Sequence, residues 1–254
     1  MLSTRTKNYR LLFESSELLW EKLGMLNPAQ RRLFDERFLM SWIFHDFALE
    51  GTMLSVAEIK AAVDDEIIST PSLIPAYLHI KAVRDAITML VEGRGKRLQL
   101  SLEWLKKIHL TLLPTGKKDQ VQYRKDNPIH RLYFHDLAPA DKISYRMRKL
   151  TDWFRTEECR KAHPIELAVE VHRELIRIFP WPDISGRVAR MAMNAILIGE
   201  NYWPCIVHHN ERQTYYDVLR LDQDQLLTLV LESMDEGIRS SSKLYQNIVD
   251  SSRT

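Results

Sequence analysis

A chain of 254 residues, 45% hydrophobic and 28% charged, has the material for a full buried core and the composition of an ordinary globular protein. Its 36 basic and 34 acidic residues leave a formal net charge of +2, so no overall field favours nucleic acid or a membrane surface. The two cysteines, Cys159 and Cys205, sit in unrelated contexts and read as reduced thiols. Residues 1–7 carry no apolar signal-peptide core. Apolar runs elsewhere stay far short of the roughly 20 residues that cross a bilayer, which predicts a soluble, cytoplasmic protein.

Breakers are few, with eight Gly and ten Pro. The 3.6-residue periodicity between them predicts helices over 8–24, 28–50, 55–65, 73–93, 100–113, 141–156, 164–178, 186–200, 211–221 and 223–248. Pro28 after Asn27 is a first helical residue behind a capping side chain. Ser55 and Glu58 form a capping-box pattern, and Pro164 opens a helix that Pro180 closes. Only 115–140 resists a helical reading. It is long for a structureless connection and reads as a binding loop or small hairpin, with a short strand at 129–134. No repeat or low-complexity linker divides the chain, so one all-α domain is expected, with the first helix able to stand apart.

The turn between the helices at 164–178 and 186–200 runs Phe179-Pro180-Trp181-Pro182-Asp183-Ile184-Ser185-Gly186-Arg187-Val188-Ala189-Arg190. Free N–H groups and the positive end of the dipole favour an anion at a helix start. Arg187 and Arg190, three apart on one face, add charge that is unfavourable there unless an anion compensates it. Both arginines pairing with surface carboxylates is the plain alternative. Asp183 reads either as a cap or as a ligand for a divalent metal beside a phosphate.

This run resembles the core motif of the Fic (filamentation induced by cAMP) family, H-P-F-x-D/E-G-N-G/K-R-x-x-R between two helices. The segments Tyr202-Trp203-Pro204 and Tyr215-Tyr216-Asp217-Val218-Leu219 resemble the family's sequence just after that motif. Gln122-Tyr123-Arg124 resembles the lead-in to the family's target-docking flap. Asp46-Phe47-Ala48-Leu49-Glu50-Gly51 resembles the inhibitory motif S/T-x-x-x-E-G/N.

The resemblance implies an all-α Fic-like bundle with a small β-hairpin flap. It divides the chain into N-terminal helices at 1–65, a core at 66–222 and a C-terminal helical extension at 223–254. It implies a protein adenylyltransferase that uses ATP and Mg2+. A motif His takes the proton from a target hydroxyl, which then attacks the α-phosphate of ATP. Here that His position is Phe179, which accepts no proton. Asp183 matches the acidic metal ligand, Gly186 the anion-hole glycine, and Arg187 and Arg190 the phosphate-binding arginines. Ile184 replaces a Gly, and Ser185 replaces an Asn at a nucleotide-binding position.

A lost general base costs about 10²–10⁴-fold and a lost oxyanion donor about 10²–10³-fold. The motif therefore implies a degenerate site with some nucleotide or phosphate binding and little or no AMP transfer. The alternatives are transfer through another base or donor, and a non-catalytic regulatory protein. Glu50 would pair with Arg190 and block the γ-phosphate seat, with Gly51 ending the helix. Ile129, His130, Arg131 and Leu132 would form the flap edge on which a protein target or regulator docks; a homodimer is also compatible.

Other signals are weaker. His45-Asp46 and His135-Asp136 suggest a metal-dependent phosphohydrolase but lack the further ligands that class needs. His208-His209 reads as a solvated loop pair rather than a metal site. His172 reads as structural. There is no P-loop and no nucleophile elbow.

Overall fold

The computed structural model describes residues 4–66, 71–114, 122–126 and 137–251. The expected flap strand, with Ile129, His130, Arg131 and Leu132, lies outside them. The described residues form eleven α-helices and no strand. In chain order these are α1 (Thr4–Gly24), α2 (Pro28–Leu49), α3 (Val56–Val63), α4 (Ile74–Glu92), α5 (Leu102–Leu112) and α6 (Ile143–Phe154). Then come α7 (Glu157–Lys161), α8 (Pro164–Ile178), α9 (Ser185–Gly199), α10 (Arg212–Val218) and α11 (Gln223–Ser251). Among the described residues no helix is long and apolar enough to cross a membrane.

The starts of α2 and α3 are set by their caps. Asn27 Oδ1 accepts the Gln30 N–H at 2.9 Å while Gln30 Oε1 accepts the Asn27 N–H at 3.1 Å. Ser55 and Glu58 exchange the same pair of bonds, at 3.2 and 2.8 Å. The short α7 leaves no mark in the periodicity, because five residues are too few to show a period; Thr156 caps it.

All fifteen residues of α9 are buried, so the fold is organised around this helix. It packs most extensively on α8, with α4 and α5 also against it. Alanines at 189, 192 and 195 keep α9 slim enough to be surrounded. At its end Gly199 meets the 94–98 turn so closely that a Cβ would lie 2.7 Å from the Lys96 carbonyl oxygen. α6 covers α8, and α11 contacts α1, α2 and α8.

The first helix does not stand apart. Its Leu19, Trp20 and Leu23 are buried, and Ser16 Oγ accepts the Trp203 N–H at 2.9 Å. Trp20 and Phe38 enclose the Trp203 ring at centroid distances of 4.4 and 5.0 Å. This packing fixes α2 over the start of α9, where the charged groups of the turn lie.

Candidate functional site

Two residues in left-handed backbone shape the turn. Phe179, φ 45° and ψ 64°, ends α8 with its N–H on the Leu175 carbonyl at 2.8 Å. Ile184, φ 57° and ψ 9°, precedes α9. A β-branched side chain in that region is strained, by about 1–3 kcal/mol. Ser185 closes the turn: its Oγ accepts the Trp181 N–H and donates to the Trp181 carbonyl, both at 2.8 Å. Trp181 is buried and stacks on His109 of α5, rings 4.3 Å apart and 12° from parallel.

Arg124 holds the turn from outside. Its buried guanidinium donates to the carbonyls of Phe179 at 2.7 Å, Ile178 at 3.3 Å, Asp126 at 3.0 Å and also Ala138. Its own N–H reaches the Pro180 carbonyl at 2.9 Å. A cation among the carbonyls at the end of α8 also meets the negative end of that helix dipole. Replacing Arg124 by Ala strands several of these carbonyls, and the expected loss is about 3 kcal/mol. Thermal unfolding should show a fall of roughly 6–12 °C. Arg124→Lys, which lacks the planar fork, should recover only part of it.

The compensating anion for the arginines comes from α2. Arg190 Nε donates to Asp46 Oδ1 at 2.8 Å, Arg187 Nε donates to Asp46 Oδ2, and Arg190 Nη2 donates to Glu50 Oε1 at 2.7 Å. Asp46, Arg187 and Arg190 are buried, at 3%, 4% and 5% exposure, so none of them is neutralised by solvent. Burial alone would raise the Asp46 pKa; the charges of Arg190 and Arg187 outweigh it and hold the carboxyl below its usual value. The Arg187 guanidinium also lies 4.4 Å above the Phe47 ring.

The end of α2 is locked where it presents Glu50. The Gly51 N–H bonds to the Ala48 carbonyl at 3.0 Å, and the Thr52 N–H to the Phe47 carbonyl at 3.0 Å. These are the two bonds of a Schellman motif, and Gly51 supplies the positive φ of 87° that it needs. The Leu49 carbonyl accepts from Arg212 Nε and the Tyr216 hydroxyl, both at 2.9 Å. Glu50 therefore both ends the helix and faces Arg190.

Behind Arg190, His172 is fully buried with Nε2 3.0 Å from the Tyr215 hydroxyl. Burial, reinforced by the Arg190 charge, lowers its pKa to about 3. An unfolded His titrates near 6.5, so between these values the folded chain binds fewer protons than the unfolded one. Stability contributed by this ring is complete above about pH 6.5 and is lost as pH falls towards 3; at pH 5 the loss is about 2 kcal/mol. Denaturant midpoints at pH 7 and 5 should show a drop to which the buried His45 and His109 also contribute, and His172→Gln should reduce it by about 2 kcal/mol without abolishing it.

The structure brings only some of the sequence-predicted residues together. Arg187, Arg190, Glu50 and Gly51 meet at one point, with Ser185 and Gly186 buried at the start of α9. Phe179 is buried at the end of α8, and Asp183 is exposed on the turn. Among the described residues the Asp183 carboxylate takes no hydrogen bond or ion pair; its charge opposes the lowering of the His109 pKa by burial.

Residues 99–197, which contain α5 to α8 and all but the last two residues of α9, match the Fic/DOC family. The chain carries a Fic domain. It is 24% identical over 198 residues to a protein from Drosophila willistoni named protein adenylyltransferase Fic, covering 77% of this chain and 39% of that protein. The chain spans about two fifths of the length of the curated relatives it matches. In fold it is similar to a Fic-domain-containing signalling protein from Bacteroides thetaiotaomicron. That likeness has a TM-score of 0.75 at 21% identity, over 96% of this chain and 97% of the other. A second likeness is to residues 134–508 of Fic-1 from C. elegans, with a TM-score of 0.74 at 19% identity, over 96% and 73% of the two chains.

Two features of this site are not assigned by the sequence. Asp46 enters there only as the first residue of the inhibitory-like motif and in the His45-Asp46 pair, yet it binds both arginines; two carboxylates one helical turn apart, facing two arginines three apart, are the available signal. Arg124 reads only as part of a lead-in, and its role depends on carbonyls more than fifty residues away in sequence.

Proposed function

We propose that this chain is a Fic-fold protein with a degenerate active site, whose phosphate clamp is filled by its own α2 and which performs little or no AMP transfer. The observation that carries this reading is that Arg187 and Arg190 are buried on Asp46 and Glu50, while the His position holds Phe179. In this arrangement the residues do not fit a triphosphate: its negative charge would meet two carboxylates already seated on both guanidiniums. With α2 withdrawn, the two arginines and the start of α9 would face an anion, and the exposed Asp183 would be free for Mg2+. Ser185, whose hydroxyl is committed to Trp181, offers no replacement for the lost anion-hole donor.

The names of the relatives support ATP as the nucleotide to test. Incubation of the chain with α-labelled ATP, Mg2+ and cell lysate should leave proteins unlabelled. Labelling that disappears on Arg187→Ala would overturn the proposal.

A further inference from the structure

Beside Asp46 in sequence, but turned away from it by about 100° around α2, His45 meets two further histidines. His45 lies on α2, and His208 and His209 lie just before α10. One ring nitrogen from each lies within 4.8 Å of one from each of the others. The rings are packed face to face or tilted, with centroids 4.0 Å apart for His45 and His208, 5.4 Å for His45 and His209, and 4.6 Å for His208 and His209.

The hydrogen bonds leave an uncommitted nitrogen on His208 and His209. The His45 Nδ1 accepts the His209 backbone N–H at 3.2 Å, so its lone pair faces the 208–209 segment, and an ion there would take the place of this long bond. His208 Nδ1 lies 2.6 Å from Asn210 Oδ1, an oxygen that only accepts; Nδ1 therefore carries the proton and Nε2 keeps its lone pair. His209 Nδ1 is buried and has no hydrogen-bond partner among the described residues. An imidazole that donates one N–H to a carbonyl while its other nitrogen is free is the arrangement by which metal-binding histidines are oriented.

We infer that His45, His208 and His209 form a binding site for one divalent transition-metal ion of the Zn2+ class. Imidazole donors suit Zn2+, Co2+, Ni2+ and Cu2+ rather than Mg2+ or Ca2+. In a tetrahedron with bonds of 2.0–2.1 Å the donor atoms stand about 3.3 Å apart, so rotation of the exposed His208 would bring the set into range. A cavity of about 450 Å3 opens beside His45 and His208, with Glu211, Glu232 and Glu236 in its wall, leaving room for water at the fourth position. An ion held there would tie α2 to the segment before α10. The site stands on these residues alone and is independent of whether the chain transfers AMP.

The test is a calorimetric titration of the tag-free, metal-stripped chain with Zn2+, with Co2+ as a spectroscopic probe. One saturable site near 1:1 stoichiometry is expected, together with a rise in Tm and the visible absorption of four-coordinate Co2+. His208→Ala, an exposed substitution that leaves the core untouched, should weaken binding at least tenfold and remove the Co2+ bands. Asn210→Ala should weaken it roughly tenfold through the orienting bond. Absence of saturable binding, or equal affinity in wild type and His208→Ala, would overturn the inference.

Discussion

Asp46→Asn is expected to lower stability by about 3–5 kcal/mol, because it leaves the buried Arg187 without a carboxylate and Arg190 with only the partly exposed Glu50. For a chain of this size the fall in Tm should be roughly 6–20 °C. A simple cavity would give no response to anions, but an unfilled cation site should. Inorganic phosphate or ATP at millimolar concentration should therefore raise the Tm of Asp46→Asn by several degrees more than that of wild type. Thermal unfolding of both proteins with and without phosphate is the measurement. A variant that melts like wild type and ignores phosphate would show that Asp46 does not hold the arginines.

The second large effect concerns catalysis. Phe179→His with Glu50→Gly restores the family's base and removes the family's inhibitory carboxylate, yet it should remain silent in a labelling assay. Asp46 would still occupy Nε of both arginines, which is where a phosphate must bind. Adding Asp46→Ser, the residue type found at this point in the inhibitory motif, should then raise labelling by about 10²–10⁴-fold over wild type, the usual worth of a general base. Ile184 and Ser185 should hold the gain at the lower end, since one adds backbone strain and the other is bonded within the turn. If the double variant labels as strongly as the triple, Asp46 has no part in closing the clamp.

Much of the fold is dictated by local signals: the Asn27 and Ser55 caps, the proline at the start of α8, and the periodicities of the long helices. The features that are not legible depend on partners remote in sequence. A pair of basic residues at a helix start demands an anion, but the choice of Asp46 is made by how α2 crosses α9, 141 residues away. Arg124 likewise acquires its role only when α8 ends beside it. The His208-His209 pair reads as solvated because His45, 164 residues before His209, gives no local sign that it will lie against them. Phe179 is different, because the chemistry a residue lacks can be read without any geometry.

Titration of Mg-ATP by calorimetry into wild type and into Asp46→Ser/Glu50→Gly tests the filled clamp most directly. The predicted result is no saturable heat from wild type up to millimolar nucleotide, and saturable binding by the variant that is lost on Arg190→Ala. Wild type that binds Mg-ATP as tightly as the variant would contradict it.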